Sequence, residues 1–413
     1  MEISIEQLLD MPVVRVLSSQ MSEREISIHV EFSQHYSICH KCGQKATEYC
    51  RDGETLRLRH LPIFNRPVYL CLQTKRYRCL NCEDRPTTTQ RGDWYDKDAH
   101  CTKAFAEYLL LEVVGSTLID VERKHRISYN VLRGLISRYV RGEVDWDAFQ
   151  QLSVLGIDEI ALKKGHNDFV TIVSLRDEQY RPRLLAVLKG RKKEPLVTFL
   201  KSIPARLRGT VIEVCTDLHE AFINAVKEVL PRARVVADRF HVAKLYRAAV
   251  DDLRKSEMKE IKNALASDEY AAFKGVLWMW RKNHDDLTEE EEAILELLFE
   301  CSPSLRQAHA LREKLYHIFE TQHSKESAQK AFREWIAEVK QSGLDCFDSF
   351  ITTLEKRMNE ISNYFINRLS SGWVEGLNNK IKVLKRRCYG ITNISNFFRR
   401  LWLDLSGMET FAH

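Results

Sequence analysis

Val154-Leu-Gly-Ile-Asp158 and Thr210-Val-Ile-Glu-Val-Cys-Thr-Asp217 are apolar runs that each finish on an aspartate, and what surrounds them decides the fold. Both are rich in the β-branched and aliphatic residues of buried strands. Between them, Phe169–Leu175 and Arg183–Leu188 read as two more strands, so three consecutive strands form a meander. A helix expected over Glu194–Ile203 leads into the second run. A helix over 218–229 follows it, and Arg234-Val-Val-Ala-Asp238 supplies a fifth strand.

This βββ-α-β-α-β order is that of the ribonuclease H-like (retroviral integrase-like) α/β fold. Its first and fourth strands lie side by side at the sheet centre, which would make Asp158 and Asp217 neighbours. Two carboxylates at adjacent strand ends repel, and their pairing becomes favourable when a hard divalent cation such as Mg2+ or Mn2+ shares them. Two such ions about 4 Å apart activate a water or a 3′-hydroxyl on one side of a phosphorus and stabilise the leaving oxygen on the other. The pattern therefore points to phosphodiester chemistry. Asp238 also ends a strand and competes with Asp217 for the second place. With His241 in Asp238-Arg-Phe-His241 it reads either as an auxiliary active-site pair, orienting Asp217 or the scissile strand, or as the cap of the next helix.

The third carboxylate is expected at Glu375, in Ser371-Gly-Trp-Val-Glu-Gly-Leu-Asn-Asn-Lys380, where it opens the last long helix. On that helix Glu375, Asn379, Lys382 and Arg386 share one face, and Leu377, Ile381, Leu384 and Cys388 form an apolar stripe on another. From Gly376 to Arg400 there are seven Lys or Arg and no Asp or Glu, interleaved with Tyr389, Phe397 and Phe398. Such a stretch suits a DNA backbone, with Asn379, Lys380, Lys382, Lys385, Arg386 and Arg387 as contacts. On these residues alone Glu375 suits a metal and a helix dipole equally well.

Upstream, Cys39-His-Lys-Cys42 and Cys79-Leu-Asn-Cys82 are two C-x2-C knuckles that together complete a tetrahedral four-cysteine Zn2+ site. His40, His60, Cys50 and Cys71 are weaker substitute ligands. Residues 55–78 alternate like two strands around a turn at Asn65-Arg66-Pro67, which predicts a zinc ribbon whose ion ties together the ends of a hairpin. Residues 103–141 read as two or three short helices. Phe105, Leu109 and Val113 are apolar in the first, Val131, Leu132, Leu135 and Ile136 in the last, and Ser128 is an N-cap. They form either a helix-turn-helix whose Arg123, Lys124, Arg126, Arg133, Arg138 and Arg141 reach phosphates or base edges, or a spacer with a solvated basic face.

Composition bounds these readings. A chain of 413 residues, 44% hydrophobic and 29% charged, exceeds what one core usually supports, so several domains are expected. A formal charge of +5 is mild, and any nucleic-acid surface must come from local clustering of Lys and Arg. Eleven cysteines, an odd number, suit metal binding and buried thiols rather than disulfides. No apolar run approaches the roughly 18–20 residues that cross a bilayer, and the N-terminus lacks a basic start followed by an apolar stretch. The expectation is a soluble, cytoplasmic protein. Only one proline falls after Pro231, and from about Val242 to Leu369 a 3.6-residue periodicity with dense Lys and Glu reads as helices. There is no internal repeat, which excludes a solenoid.

These motifs resemble the bacterial insertion-sequence transposases of the ISL-three group. The resemblance spans nearly the whole chain. It rests on the two knuckles, Arg59-His-Leu-Pro62, Gly156-Ile-Asp-Glu159, Asp217, Ala237-Asp-Arg-Phe-His-Val242 and, most specifically, the stretch from Trp373 to Gly390. It implies a DDE enzyme in which Asp158, Asp217 and Glu375 are catalytic and hold Mg2+ or Mn2+, with Asp238 and His241 matching a D-x-x-H element of related eukaryotic transposases. The 136 residues between Asp238 and Glu375 would be the all-helical insertion of such enzymes. Within it Trp278, Trp280 and Trp335 are expected to be core residues rather than platforms for flipped bases. The implied layout is a zinc ribbon over 1–95, a helix-turn-helix over 96–148, the core over 149–243, the insertion over 244–369 and the C-terminal catalytic helix over 370–413.

The implied function is to bind terminal inverted repeats, cleave at the element ends and join the 3′-hydroxyl to target DNA, which would place the protein at the nucleoid. Synapsis of two ends makes a homodimer the natural form. Two rivals share the same modules: a non-catalytic DNA-binding regulator with a relic core, and a ribonuclease H-like nuclease that does not transfer strands.

Overall fold

The computed structural model describes residues 5–9, 11, 13–162, 169–368, 372–388, 391 and 393–412. They divide into two compact units, one built from residues up to Val140 together with those from Ser406 onward, the other from Arg141–Leu405.

In the first unit the strands are β1 (Val14–Met21), β2 (Ile26–Phe32), β3 (Ser37–Ile38), β4 (Lys45–Ala46), β5 (Glu48–Ile63), β6 (Arg66–Arg78) and β7 (Thr87–Thr89). The main sheet runs β1-β2-β6-β5 with β7 on β6, and β3 pairs with β4. Alternate residues of β2 (Ile26, Ile28, Val30, Phe32) meet Leu58, Val68, Leu70 and Leu72 in its core. The long hairpin turns at Phe64–Asn65, both left-handed at φ 51° and 60°, and Ile63 pairs with Arg66. The turn thus precedes the expected Asn65-Arg66-Pro67. Pro67 lies inside β6, opposite a register irregularity between His60 and Ile63, where its missing N–H breaks no ladder bond.

Helices α1 (Lys103–Val113), α2 (Leu118–His125) and α3 (Tyr129–Tyr139) follow, with Thr102, Thr117 and Ser128 accepting from the N–H groups of Phe105, Asp120 and Val131. Phe105, Leu109, Val113, Leu132, Leu135 and Ile136 are buried. Val131 is exposed, correcting its place in the apolar stripe, because it lies in the first turn ahead of the packed face.

The second unit is built on β8 (Val154–Ala161), β9 (Phe169–Arg176), β10 (Pro182–Lys189), β11 (Glu213–Thr216) and β12 (Arg234–Ala237), in the order β10-β9-β8-β11-β12. The first three form the antiparallel meander, and β11 runs parallel to both β8 and β12. One face, with Leu155, Ile157, Val173 and Val214, packs on α4 (Lys193–Ser202) and α5 (Glu220–Val229) through Leu196, Leu200, Phe222 and Ile223.

After β12 the described chain is helical until the C-terminal region, as α6 (Arg239–Ala264), α7 (Glu289–Cys301), α8 (Pro303–Thr321), α9 (Lys325–Ser342) and several shorter helices. Val250, Leu298, Leu305, Leu315, Phe332 and Trp335 form part of their shared core. Trp280 is 1% and Trp335 2% exposed, and the Trp335 indole donates to the Leu311 carbonyl at 2.8 Å. Trp278 is 68% exposed, against the expectation, because two positions along a helical segment place it about 200° from Trp280.

The other face of the sheet is closed by the last two helices, α10 (Gly372–Arg387) and α11 (Ile394–Phe411). Leu377, Ile381 and Leu384 of α10, with Phe397, Phe398 and Leu401 of α11, cover Ile160, Val170 and Ile172. So α10 is not the last long helix. Phe397 and Phe398 are core rather than DNA-facing, and Arg400 is buried against Asp404 at 3.1 Å. Tyr389 and Gly390 lie outside the described residues.

Gly156 is what lets α10 come down on β8: a Cβ there would lie 2.6 Å from Trp373 Cη2 and 2.7 Å from Val374 Cγ2. Gly156→Val is therefore expected to lift the helix and lower stability by about 1–3 kcal/mol. A urea titration matching wild type would refute this account of the glycine.

Candidate active site and zinc centre

Strand register assembles the acids. Ile157 pairs with Thr216 and Thr216 with Ala237, so the residues that follow, Asp158, Asp217 and Asp238, reach the same edge of three neighbouring strands. β8 continues beyond Asp158, which pairs with Ile172 of β9, so this acid lies within its strand rather than at its end. Its Oδ1 accepts from the Glu159 N–H at 2.7 Å and its Oδ2 from the Asn378 amide of α10. Burial pushes Asp158 up to about 6, with Asp217 and Asp238 adding repulsion, while the Glu159 N–H and His241 oppose the rise.

Asp217 accepts from the His219 N–H at 2.9 Å, an Asx turn that fixes its side chain as the strand ends. Asp238 combines both of its expected parts. Its Oδ1 caps α6 by accepting from the Phe240 N–H at 2.8 Å, and its Oδ2 lies 2.7 Å from His241 Nδ1. That hydrogen bond, followed by the charges of Asp238, Asp158 and Asp217, raises His241 above the ordinary imidazole range despite its burial.

Glu375 stands exposed in the first turn of α10, one turn before Asn378. Among the described residues no acidic trio is gathered tightly enough to share one ion as the side chains stand. Asp158, Asp217, Asp238 and His241 come together, and Glu375 rides on the helix whose next turn touches Asp158. Asn378, 3% exposed, is the contact that sequence reasoning missed in favour of its exposed neighbour Asn379. Its signal was its place between Leu377 and Ile381, on the edge of the apolar stripe.

The donor set nonetheless fits a hard dication. Three carboxylates lie at matched positions on neighbouring strands, one of them resisting ionisation, and the Asn378 amide that donates to Asp158 has its Oδ1 buried without a hydrogen-bond partner.

In the first unit the two knuckles converge. The four sulfurs of Cys39, Cys42, Cys79 and Cys82 all lie within 4.8 Å of one another, with Cys39–Cys82 at 3.9 Å and Cys42–Cys79 at 3.6 Å. Sulfurs bound tetrahedrally at ~2.3 Å from zinc stand about 3.8 Å apart, so the cluster has the size of a zinc site. The backbone N–H groups of Cys42 and Lys41 hold the Cys39 thiol down at about 6, while the neighbouring sulfurs and burial push Cys82 up to about 12. A dication relieves that crowding of negative charge. The substitute ligands are placed elsewhere: His40 Nδ1 lies 3.0 Å from Thr88 Oγ1, His60 Nδ1 lies 2.9 Å from Thr102 Oγ1, and neither Cys50 nor Cys71 joins the cluster.

Both centres coincide with known sequence families. The ISL3-group DDE profile, described as transposase, matches residues 155–401, and the zinc-finger of transposase IS204/IS1001/IS1096/IS1165 matches residues 35–82. The chain belongs to the ISL3 transposase family. The transposase for insertion sequence element IS1001 of Bordetella parapertussis is 26% identical over 381 residues, 92% of this chain and 91% of that one. The transposase for insertion sequence element IS1557 of Mycobacterium tuberculosis is 26% identical over 389 residues, 89% of this chain and 86% of that one. The Drosophila P element transposase strand transfer complex is similar at 12% identity and a TM-score of 0.29, over 76% of this chain and 80% of that chain.

The transposase, a DNA-cleaving and joining enzyme, exposes the basic residues expected from its sequence in two regions. On α10, Asn379, Lys380, Lys382, Arg386 and Arg387 are exposed. Lys385 is half-buried and donates to the Ala161 carbonyl at 2.6 Å, so it anchors the helix to the end of β8 instead of facing outward. In the helical part of the first unit Arg123, Lys124, Arg126, Arg133 and Arg138 are exposed. Lys124 pairs with Glu112 at 2.5 Å and Arg138 with Asp96 at 3.4 Å, and Arg141, which opens the second unit, pairs with Asp145 at 2.6 Å. Exposed pairs of this kind are worth about 0–1 kcal/mol. No described helix of the transposase is long and apolar enough to cross a membrane.

Proposed function

We propose that this transposase binds the terminal inverted repeats of its element, cleaves the phosphodiester at each end and joins the freed 3′-hydroxyl to target DNA. In this reading the second unit is a ribonuclease H-like core, and Asp158, Asp217 and Glu375 hold Mg2+ or Mn2+. The observation that carries it is the strand register that brings Asp158 and Asp217 side by side, where burial and like charge resist ionisation of Asp158 until a cation arrives. When bound, the ions activate the attacking oxygen and stabilise the leaving one.

The protein's own residues set the geometry around that chemistry. Asp158 and Asp217 each accept from a backbone N–H, at 2.7 and 2.9 Å, which fixes the rotation of both carboxylates. Glu375 would be supplied by the first turn of α10, whose next turn holds Asn378 against Asp158. The hydrogen bond from Asp238 raises the pKa of His241 and, in this reading, orients the imidazole toward the scissile strand. Lys382 and Arg386, on the same face of α10 as Glu375, grip flanking phosphates. The zinc ribbon over 1–95 and the helix-turn-helix over 96–148 recognise the repeat, and a homodimer holds the two ends.

The test is cleavage and strand transfer on labelled element ends with Mg2+ or Mn2+, wild type against Glu375→Gln. The reading requires wild type to nick and join at the ends while the variant binds them equally well and does neither. Wild type that binds without cutting would make the protein a regulator, and cutting without joining would make it a nuclease.

A further inference from the structure

The buried face of α10 comprises Val374, Leu377, Asn378, Ile381 and Leu384. Four of these fill the sheet face as apolar side chains should, and Asn378 is the one polar member. It is 3% exposed, its amide N–H donates to Asp158 Oδ2, and its own Oδ1 is buried without a hydrogen-bond partner. A buried acceptor left unpaired is costly, and leucine, nearly isosteric with asparagine, would pack this face without that cost. Packing does not explain an amide here.

Its position suggests what does. Asp158 Oδ1 is already taken by the Glu159 N–H, so the Asn378 bond to Oδ2 fixes the second oxygen and with it the rotation of the carboxylate. The same bond ties α10 to β8 at a set height and rotation. Glu375 lies three residues earlier, about 4.5 Å along the helix axis, so whatever sets Asn378 against Asp158 also sets where Glu375 stands. Gly156, two residues before Asp158 on the same face of β8, admits Trp373 and Val374 and gives a second point of close approach one turn away.

We propose that Asn378 is a positioning residue of the transposase: its amide orients Asp158 for the cation and fixes the register of α10 that delivers Glu375. The inference rests on the proposed acidic site and names the residue that assembles it. Partners that orient carboxylate ligands typically contribute 10- to 100-fold in metal affinity.

The experiment uses the full-length protein with Tb3+ as a hard-cation probe, sensitised by tryptophan and displaced by Mg2+, in parallel with thermal unfolding before any probe is added. Asn378→Leu is expected to keep or raise the melting temperature and to weaken the Mg2+-displaceable Tb3+ signal by about 10- to 100-fold. Asp158→Asn in the same assay is expected to abolish that signal. A loss of signal in Asp158→Asn alongside wild-type affinity in Asn378→Leu overturns the positioning role while leaving the acidic site intact. An unchanged signal in Asp158→Asn overturns the site itself and the proposal with it. Asn378→Leu that melts well below wild type would make the amide a structural contact and overturn the proposal as well.

Discussion

Asp158→Asn is expected to reduce end cleavage by at least about a thousandfold, the scale on which members of a catalytic unit act, and at the same time to stabilise the protein free of added Mg2+ at neutral pH. The two effects share one cause. Burial lifts this carboxyl from 3.8 to about 6, so the fold opposes the charge that catalysis requires. A carboxyl whose folded pKa lies above its unfolded one contributes no penalty below pH about 4 and the full penalty once pH has risen through about 6. A rise of that size corresponds to about 3 kcal/mol at neutral pH, and asparagine, which cannot ionise, removes that penalty. Urea unfolding at pH 4.5 and pH 7.5 reads the difference: the variant should gain stability over wild type at the higher pH and little at the lower. Equal stability at both would mean that Asp158 is not held in the buried setting described, and undiminished cleavage would remove it from the catalytic set.

Zinc removal should have the largest effect on the first unit. Cys39 and Cys79 are 2% and 0% exposed, and no strand longer than two residues links the first knuckle to the hairpin. Structural zinc sites contribute roughly 10–16 kcal/mol of binding free energy to the peptides they fold, far more than such a small assembly gains from packing Ala46 and Tyr77. Cys79→Ser is expected to lose bound zinc, unfold the ribbon and so lower the unfolding transition of the first unit, and weaken binding to element ends at least 100-fold. The transition of the second unit should survive. Metal analysis, calorimetry and end binding on one preparation decide the matter. A zinc-free variant that still melts and binds like wild type would reduce the four cysteines to buried thiols.

Features set by short-range chemistry were legible in the sequence. Two C-x2-C pairs announce a metal through ligand count alone, and they converge as expected. The five strands of the second unit were legible because each is a short apolar run broken by turn residues, and their order is enough to make Asp158 and Asp217 neighbours. Legibility failed where tertiary context decides. The hairpin turn follows from the left-handed pair Phe64–Asn65 rather than from Pro67, which a register irregularity accommodates. Phe397, Phe398 and Arg400 resemble a nucleic-acid surface in composition, yet an extra helix turns all three inward. Asn378 and Asn379 are indistinguishable by residue type, and only the sheet beneath α10 separates the one that touches Asp158 from the one facing solvent.

The separation of Glu375 from the other acids has a consequence in time. Synthesis proceeds at about 5–20 residues per second. The 136 residues after Asp238 therefore delay the third acid by roughly 7–27 s. Throughout that interval the nascent chain already carries its four zinc-ribbon cysteines, its basic helices and the aspartates Asp158, Asp217 and Asp238, while the sheet face that α10 and α11 will cover is still bare. If the zinc ribbon and basic helices bind DNA as proposed, the segments that would hold DNA are synthesised before the acid that completes the proposed cutting site. On that reading, a ribosome that stops within the helical stretch would release a product with the proposed grip and without the proposed third acid, a competitor for the element's ends.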